Sequence, residues 1–112
     1  MAMKVRPRED KAGWLDRRSV YTVLAVETTG ENEILLRIES ENAQTPALFP
    51  AKEFELLDDS IPSIWTISIE PSGTLDLRPV SWRRPGFWED FFDGDMTARQ
   101  LYEQARDAIL AD

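Results

Sequence analysis

Acidic side chains are the only residues in this sequence whose types and spacing could support catalysis. Glu89 and Asp93 stand four positions apart, and Asp58 and Asp59 are adjacent. Two carboxylates roughly 5 to 10 Å apart around a cleft can hydrolyse a glycosidic bond. Acidic residues beside turns and helix N-termini are more often ordinary caps, and a domain this short has little room for a sugar cleft. We therefore expect no catalytic residue and no enzymatic activity.

A metal site with oxygen ligands is the second chemistry to consider. Asp90, Asp93 and Asp95 lie close together around Gly94, and acidic loops of this kind hold calcium in some proteins. The segment lacks the twelve-residue loop pattern and the glutamate that ends it. Capping and solubility explain these aspartates better, so we expect no metal and no cofactor.

Two residue types that dominate catalytic sites are absent, because the chain has neither histidine nor cysteine. This removes Ser-His-Asp and Cys-His arrangements and most zinc or iron sites. The five glycines are scattered and form no phosphate-binding loop, which disfavours nucleotide-dependent chemistry. The lack of cysteine also agrees with a reducing compartment.

The net charge of −8 is unevenly distributed along the chain. Residues 1–18 carry six basic and three acidic residues, whereas the remainder carries seven basic and eighteen acidic residues, a net charge of −11. Such a surface repels nucleic-acid phosphates and anionic lipid and attracts basic proteins, although solubility alone explains acidity equally well. We expect a basic protein partner, no nucleic acid, no membrane and a cytoplasmic location, because no signal sequence or long apolar run is present.

The length of 112 residues fits one domain. We expect residues 1–17 to form an extended lead-in, with Trp14 and Leu15 fixing it, and residues 18–112 to form a single α+β domain. In the strand at 65–69, large apolar residues alternate with small polar ones, which predicts one buried and one solvated face. Composition and turn residues predict strands at 19–27, 33–39, a broken strand at 47–50 and 53–57 in which Pro50 marks an edge or bulge, 65–69 and 75–77, with a loop at 42–46.

Two helical segments follow the strands. The first is a short turn at 87–92 that Gly94 ends, and the second is an amphipathic helix at about 96–110 whose N-cap is Asp95 or Thr97. The apolar side of this helix is formed by Leu101, Tyr102, Ala105, Ala108 and Ile109, and its wet side by Arg99, Glu103, Arg106 and Asp107. The predicted fold is α+β, with about five antiparallel strands in a strongly bent sheet or SH3-like partial barrel and this C-terminal helix packed on it.

Aromatic residues cluster between 82 and 92, and the cluster has two interpretations. As core, it fastens the helices to the sheet; as function, one or two rings stay exposed beside acidic residues and anchor a partner. We expect Phe87, Phe91 and Phe92 to be core and leave Trp88 open.

The order of short strands, the segment from Trp82 to Asp95 and the final amphipathic helix resembles small acidic bacterial immunity proteins of toxin–immunity systems. The resemblance is one of size, acidity and layout, so it carries no functional residue over. It implies a protein that binds and blocks a cognate toxin, often a basic nuclease. From the residues themselves, the predicted partner-binding groups are Trp88, Glu89, Asp90 and Asp93, and secondarily Glu53, Glu55, Asp58 and Asp59.

An SH3-like structural or regulatory module that binds a peptide is the alternative function. It predicts that Tyr21, Trp65 and Trp82 are exposed and line a shallow groove. The inhibitor predicts an acidic convex face and buried tryptophans.

Overall fold

A computed structural model describes residues 2–9, 15–39 and 45–112 of the protein. Within these ranges, eight strands form two antiparallel sheets, and two α-helices follow them. The elements are β1 Lys4–Pro7, β2 Tyr21–Thr22, β3 Ala25–Thr28, β4 Ile34–Glu39, β5 Pro46–Pro50, β6 Phe54–Asp58, β7 Trp65–Ile69, β8 Leu75–Pro79, α1 Phe87–Phe92 and α2 Met96–Ala111. One sheet has the order β5-β4-β3-β8-β7 and does not close, and the other has the order β2-β1-β6. The α+β prediction, with a C-terminal helix, is confirmed.

The strand predicted at 19–27 is two strands. Between β2 and β3, the backbone N–H of Val23 donates to Met3 and that of Leu24 donates to Arg37, so consecutive residues bond to different sheets. The chain therefore passes from the three-stranded to the five-stranded sheet at this point. Val23 and Leu24 are both buried and both suit a strand, which is why their composition does not mark the break.

The predicted lead-in contains β1, which lies at the centre of the three-stranded sheet. Val5 stands opposite Tyr21 on one side and Leu56 on the other, and it is 2% exposed. Leu15 is buried too, whereas Trp14 and most of the predicted loop at 42–46 lie outside the described residues.

The broken strand predicted between 47 and 57 is confirmed, and its halves belong to different sheets. A short 3-10 helix, Ala51–Glu53, separates β5 from β6. β5 is an edge strand of its sheet, as Pro50 predicts. Phe49 of β5 and Phe54 of β6 meet edge to face, with ring centres 6.1 Å apart, and so join the two sheets.

The β7–β8 hairpin is confirmed, with Gly73 at φ 92° in its turn, but the prediction for the two faces of β7 is wrong. Trp65 is buried, whereas Ile67 and Ile69 on the same face are 60% and 68% exposed. On the same face of the sheet, β5 is covered by packed side chains, but this cover does not extend to the outer part of β7. An alternating sequence pattern does not show how many strands of a sheet are covered by other side chains.

Both helices lie against the side of β4 that carries Arg37 and Glu39. Trp88 of α1 contacts Arg37, and Tyr102 and Arg106 of α2 both bond to Glu39. Tyr102, Ala105 and Ile109 are buried as predicted, Leu101 is half-buried, Ala98 joins the buried side, and Ala108 is exposed, contrary to the prediction. No helix of the described ranges is long and apolar enough to cross a membrane.

Candidate functional site

Most of the aromatic cluster is core, packed where α1 meets α2. Trp82, Phe87 and Phe91 are 1%, 2% and 5% exposed, and Trp82 stacks on Tyr102 with ring centres 5.3 Å apart. The prediction that Phe87 and Phe91 are core is therefore confirmed.

Trp88 is half-buried and is held by an internal cation. The guanidinium carbon of Arg37 lies 3.8 Å from the centre of its ring, and Arg37 also donates to the carbonyl oxygen of Pro46 at 3.1 Å. Burial lowers the pKa of Arg37 to about 10, and the nearby carboxylate of Glu27 opposes that shift. One face of Trp88 is thus occupied within the protein.

Phe92 lies outside the core, so the prediction that it is buried is wrong. It is 52% exposed, although its ring still touches Phe91, with centres 5.2 Å apart. A helix turns about 100° per residue, and here Phe91 points into the core, at 5% exposed, while Phe92 is turned away from it. Met96, at the start of α2, is 75% exposed beyond it.

The turn between the helices has a fixed backbone. Gly94, at φ 86°, donates to the carbonyl oxygen of Phe91, and Asp95 donates to that of Asp90. These two bonds form a Schellman motif, in which a left-handed residue, here glycine, closes the helix end. Gly94 therefore ends α1 as predicted, and the side chain of Asp95 caps α2 by accepting from Ala98, which decides between Asp95 and Thr97.

Carboxylates surround this turn and differ in whether a cation neutralises them. Arg84 pairs with Asp90 at 2.9 Å and with Asp95 at 3.7 Å. Glu89 and Asp93 are exposed, and no basic side chain of the described residues lies within ion-pair distance of either. We call the surface formed by Glu89, Phe92, Asp93, Asp95 and Met96 the α1–α2 corner.

The second predicted group lies on the three-stranded sheet, along and beside β6. Glu53 is half-buried, and Glu55 is exposed and pairs with Arg6 at 3.1 Å. Asp58 accepts from the backbone of Ser60, while Asp59 is exposed. The structure therefore places this group on a different layer from the α1–α2 corner.

A carboxylic acid that serves as a general acid has a raised pKa. Hydrogen bonds from Ser60 lower the pKa of Asp58 instead. The described residues also contain no group of three or more acidic side chains placed to hold a metal ion. The exposed carboxylates can attract positively charged groups, and both lose water when they come into contact.

A network of hydrogen bonds between β4 and α2 was not predicted from the sequence. Tyr102 donates to Glu39, and Arg106 pairs with the same carboxylate at 3.2 Å. Burial and the neighbouring Glu39 raise the pKa of Tyr102 above its usual range. Glu39 and Arg106 border a small pocket that Val20, Tyr21 and Leu110 also line. Helical spacing places Arg106 on the wet side of α2. No pattern in the sequence therefore predicts that it pairs with Glu39.

Comparison of this chain with protein-family models, curated proteins and solved structures found no match.

Proposed function

We propose that this domain binds a basic protein partner through the α1–α2 corner and acts as an immunity-type inhibitor of a basic bacterial toxin in the cytoplasm. One observation carries the proposal. Exposed Phe92 and Met96 stand beside Glu89 and Asp93, two carboxylates without a basic partner among the described residues. An apolar anchor with a charged rim is the composition on which binding energy concentrates at protein interfaces.

The fixed backbone of the corner supports the same proposal. The Schellman motif and the Asp95 cap hold Phe92 and Asp93 at the end of a helix before any partner arrives. Little conformational entropy is then lost when the partner binds. Asp90 and Asp95, already neutralised by Arg84, add less attraction than Glu89 and Asp93.

The peptide-binding module has less support. Its groove would need Tyr21, Trp65 and Trp82 at the surface, and these residues are 6%, 8% and 1% exposed. The indole N–H of Trp65 donates to the carbonyl oxygen of Leu24, so this ring is also fixed on the inside. Buried Trp65 and Trp82, together with an acidic exposed corner, are the arrangement expected of the inhibitor.

The test is co-expression in a bacterial host with the product of each gene that neighbours this one. We expect one neighbour to encode a basic toxin that stops growth and this chain to restore growth. The purified pair should bind with an affinity that falls as salt is added, because salt screens the attraction between opposite charges.

Two sets of variants test whether the partner contacts the α1–α2 corner. Glu89→Lys with Asp93→Lys should abolish rescue, whereas Glu31→Lys with Glu33→Lys, the same charge change on exposed residues of the β3–β4 turn, should retain it. Phe92→Ala should weaken binding at least about thirtyfold, and Ile61→Ala, equally exposed, should not. No rescue by any neighbour would refute the function. Equal losses from both charge pairs would refute the assignment to the corner.

A further inference from the structure

The five-stranded sheet has β5 at one edge and β7 at the other, and β7 pairs only with β8 among the strands described. Natural edge strands are usually protected by charge, proline or a bulge. None of these occurs within the five residues Trp65–Ile69, although 30% of the whole chain is charged. Within Trp65–Ile69, this edge thus carries no charge, proline or bulge to oppose pairing with another strand.

Hydrogen bonds in the hairpin define which backbone groups face the open side. The N–H of Glu70 donates to Thr74, and Ser68 stands opposite Asp76 two positions earlier. In an antiparallel ladder, bonded and non-bonded pairs alternate. The backbone groups of Ile67 and Ile69 therefore point away from β8, toward the open edge.

We propose that β7 pairs with β7 of a second copy of this chain, antiparallel and centred on Ser68. In this register, Ile67 stands opposite Ile69 of the second copy, and the outward backbone groups of both isoleucines meet bonding partners. All four isoleucine side chains then share one face of a continuous ten-stranded sheet. A shift of the register by one residue would place Ile67 opposite Ser68 of the second copy. Both the backbone hydrogen bonds and the contact between isoleucines would then be lost.

The occupant is a second copy because this register is self-complementary, and the charge of the segment permits the contact. Two chains of net charge −8 repel each other, so they can join only where no like charges come together. The paired segment has no charge, and Glu70 would stand opposite Thr66 of the second copy. The partly exposed apolar face, with Ile67 and Ile69 at 60% and 68%, loses water contact in the same step.

The experiment measures mass against concentration by sedimentation equilibrium for the full chain and two variants. Ile69→Lys should raise the dimer dissociation constant at least about tenfold. Val80→Lys is the control, because Val80 is also 68% exposed and the change adds the same charge outside the strand. It should leave the dimer intact. Urea unfolding of each variant checks that the monomer still folds.

Two further measurements distinguish this dimer from other association. Added salt should strengthen it by screening two acidic chains, whereas salt weakens the basic complex proposed above, so either proposal can fail alone. Amide hydrogen exchange at Ile67 and Ile69, but not at Ser68, should slow as concentration rises. A monomer at every concentration, a dimer that survives Ile69→Lys, or equal weakening by Val80→Lys would overturn the proposal.

Discussion

Arg37 is the one charged residue that the described chain buries, at 7% exposed. Its carboxylate partner Glu27 is 3.8 Å away, too far for a hydrogen bond, and its guanidinium donates to the carbonyl oxygen of Pro46. The ring of Trp88 therefore provides much of what replaces water around the cation. Arg37 ties α1 to β4, so it supports the position of the α1–α2 corner without lying in it.

Replacing Arg37 tests this account at the scale of one residue. Arg37→Ala should lower the free energy of unfolding by about 3 kcal/mol, because it removes a buried cation and leaves Glu27 and Trp88 without it. Arg37→Met keeps the apolar stem against the ring and should lose less. Arg99→Ala is the control, since Arg99 is exposed and 4.8 Å from the ring of Phe91; it should change stability by less than about 1 kcal/mol. Urea unfolding measures all three, and equal losses for Arg37→Ala and Arg99→Ala would contradict the account.

At this scale, the sequence predicts the buried aromatic residues better than the exposed one. The spacing of Phe87 and Phe91 identifies the inner side of α1, but Phe92 shares the composition of its neighbour and lies outside. Which of two adjacent phenylalanines turns inward depends on where the helix axis lies, and only tertiary packing determines that. The burial of Arg37 could not be predicted either, because Trp88, whose ring it contacts, is distant in the sequence.

The helix pair α1 and α2 depends on its ends. α1 has six residues, too few for an isolated helix to be stable in water, so caps and packing maintain it. Gly86 and Gly94, both at positive φ, flank it, and Arg84 joins two aspartates across its C-terminal turn. Schellman motifs often have an apolar contact at the two positions that Asp90 and Asp95 occupy here, where Arg84 bridges them instead.

The N-cap of α2 provides the test at the scale of an element. Asp95→Ala should lower the free energy of unfolding by about 1 kcal/mol, because the N–H of Ala98 loses its acceptor. Asp95→Asn retains an acceptor and should lose only a few tenths of that energy. Asp93→Ala serves as the matched exposed carboxylate and should have little effect. If Asp93→Ala and Asp95→Ala proved equally destabilising, the cap would not be what stabilises α2.

Elements with a local signal are the ones that the sequence predicts well. The β7–β8 hairpin follows from Pro71, Ser72 and Gly73, and α2 follows from its amphipathic spacing and its cap. The division of 19–27 into β2 and β3 has no local signal, since it depends on which sheet each backbone amide meets. Likewise, only the three-dimensional arrangement of the two sheets shows that the acidic group predicted at β6 lies apart from the one at α1.

The molecule as a whole is held together by pairings between distant parts of the chain. β1 brings residues near the N-terminus between β2 and β6, and its Val5 is part of the same buried cluster as residues of α2. The segment predicted as a lead-in thus contributes a central strand. Local patterns in residues 1–17 cannot show this, because the partners of β1 lie elsewhere in the sequence.

Adjacent residues of β1 test whether it belongs to the cooperative unit. Val5→Ala should lower the free energy of unfolding by about 2 kcal/mol, because it leaves a cavity between the strands. Arg6→Ala removes only an exposed pair with Glu55 and should lose less than about 1 kcal/mol. Circular dichroism and tryptophan fluorescence should give the same midpoint in urea for each variant. If Val5→Ala had no effect on that midpoint, β1 would be an appendage and not a part of the core.

The place of β1 also determines an order of events during synthesis. Its contact with β6 joins Arg6 to Glu55, 49 positions apart, whereas the β7–β8 hairpin closes over a few residues. Closing a long loop is slower than closing a short one. At the usual 5 to 20 residues per second, a ribosome needs about 2 to 10 seconds to make the intervening chain. β1 is therefore made well before β6, and the side of β1 that β6 will cover stays open to other molecules in the interval.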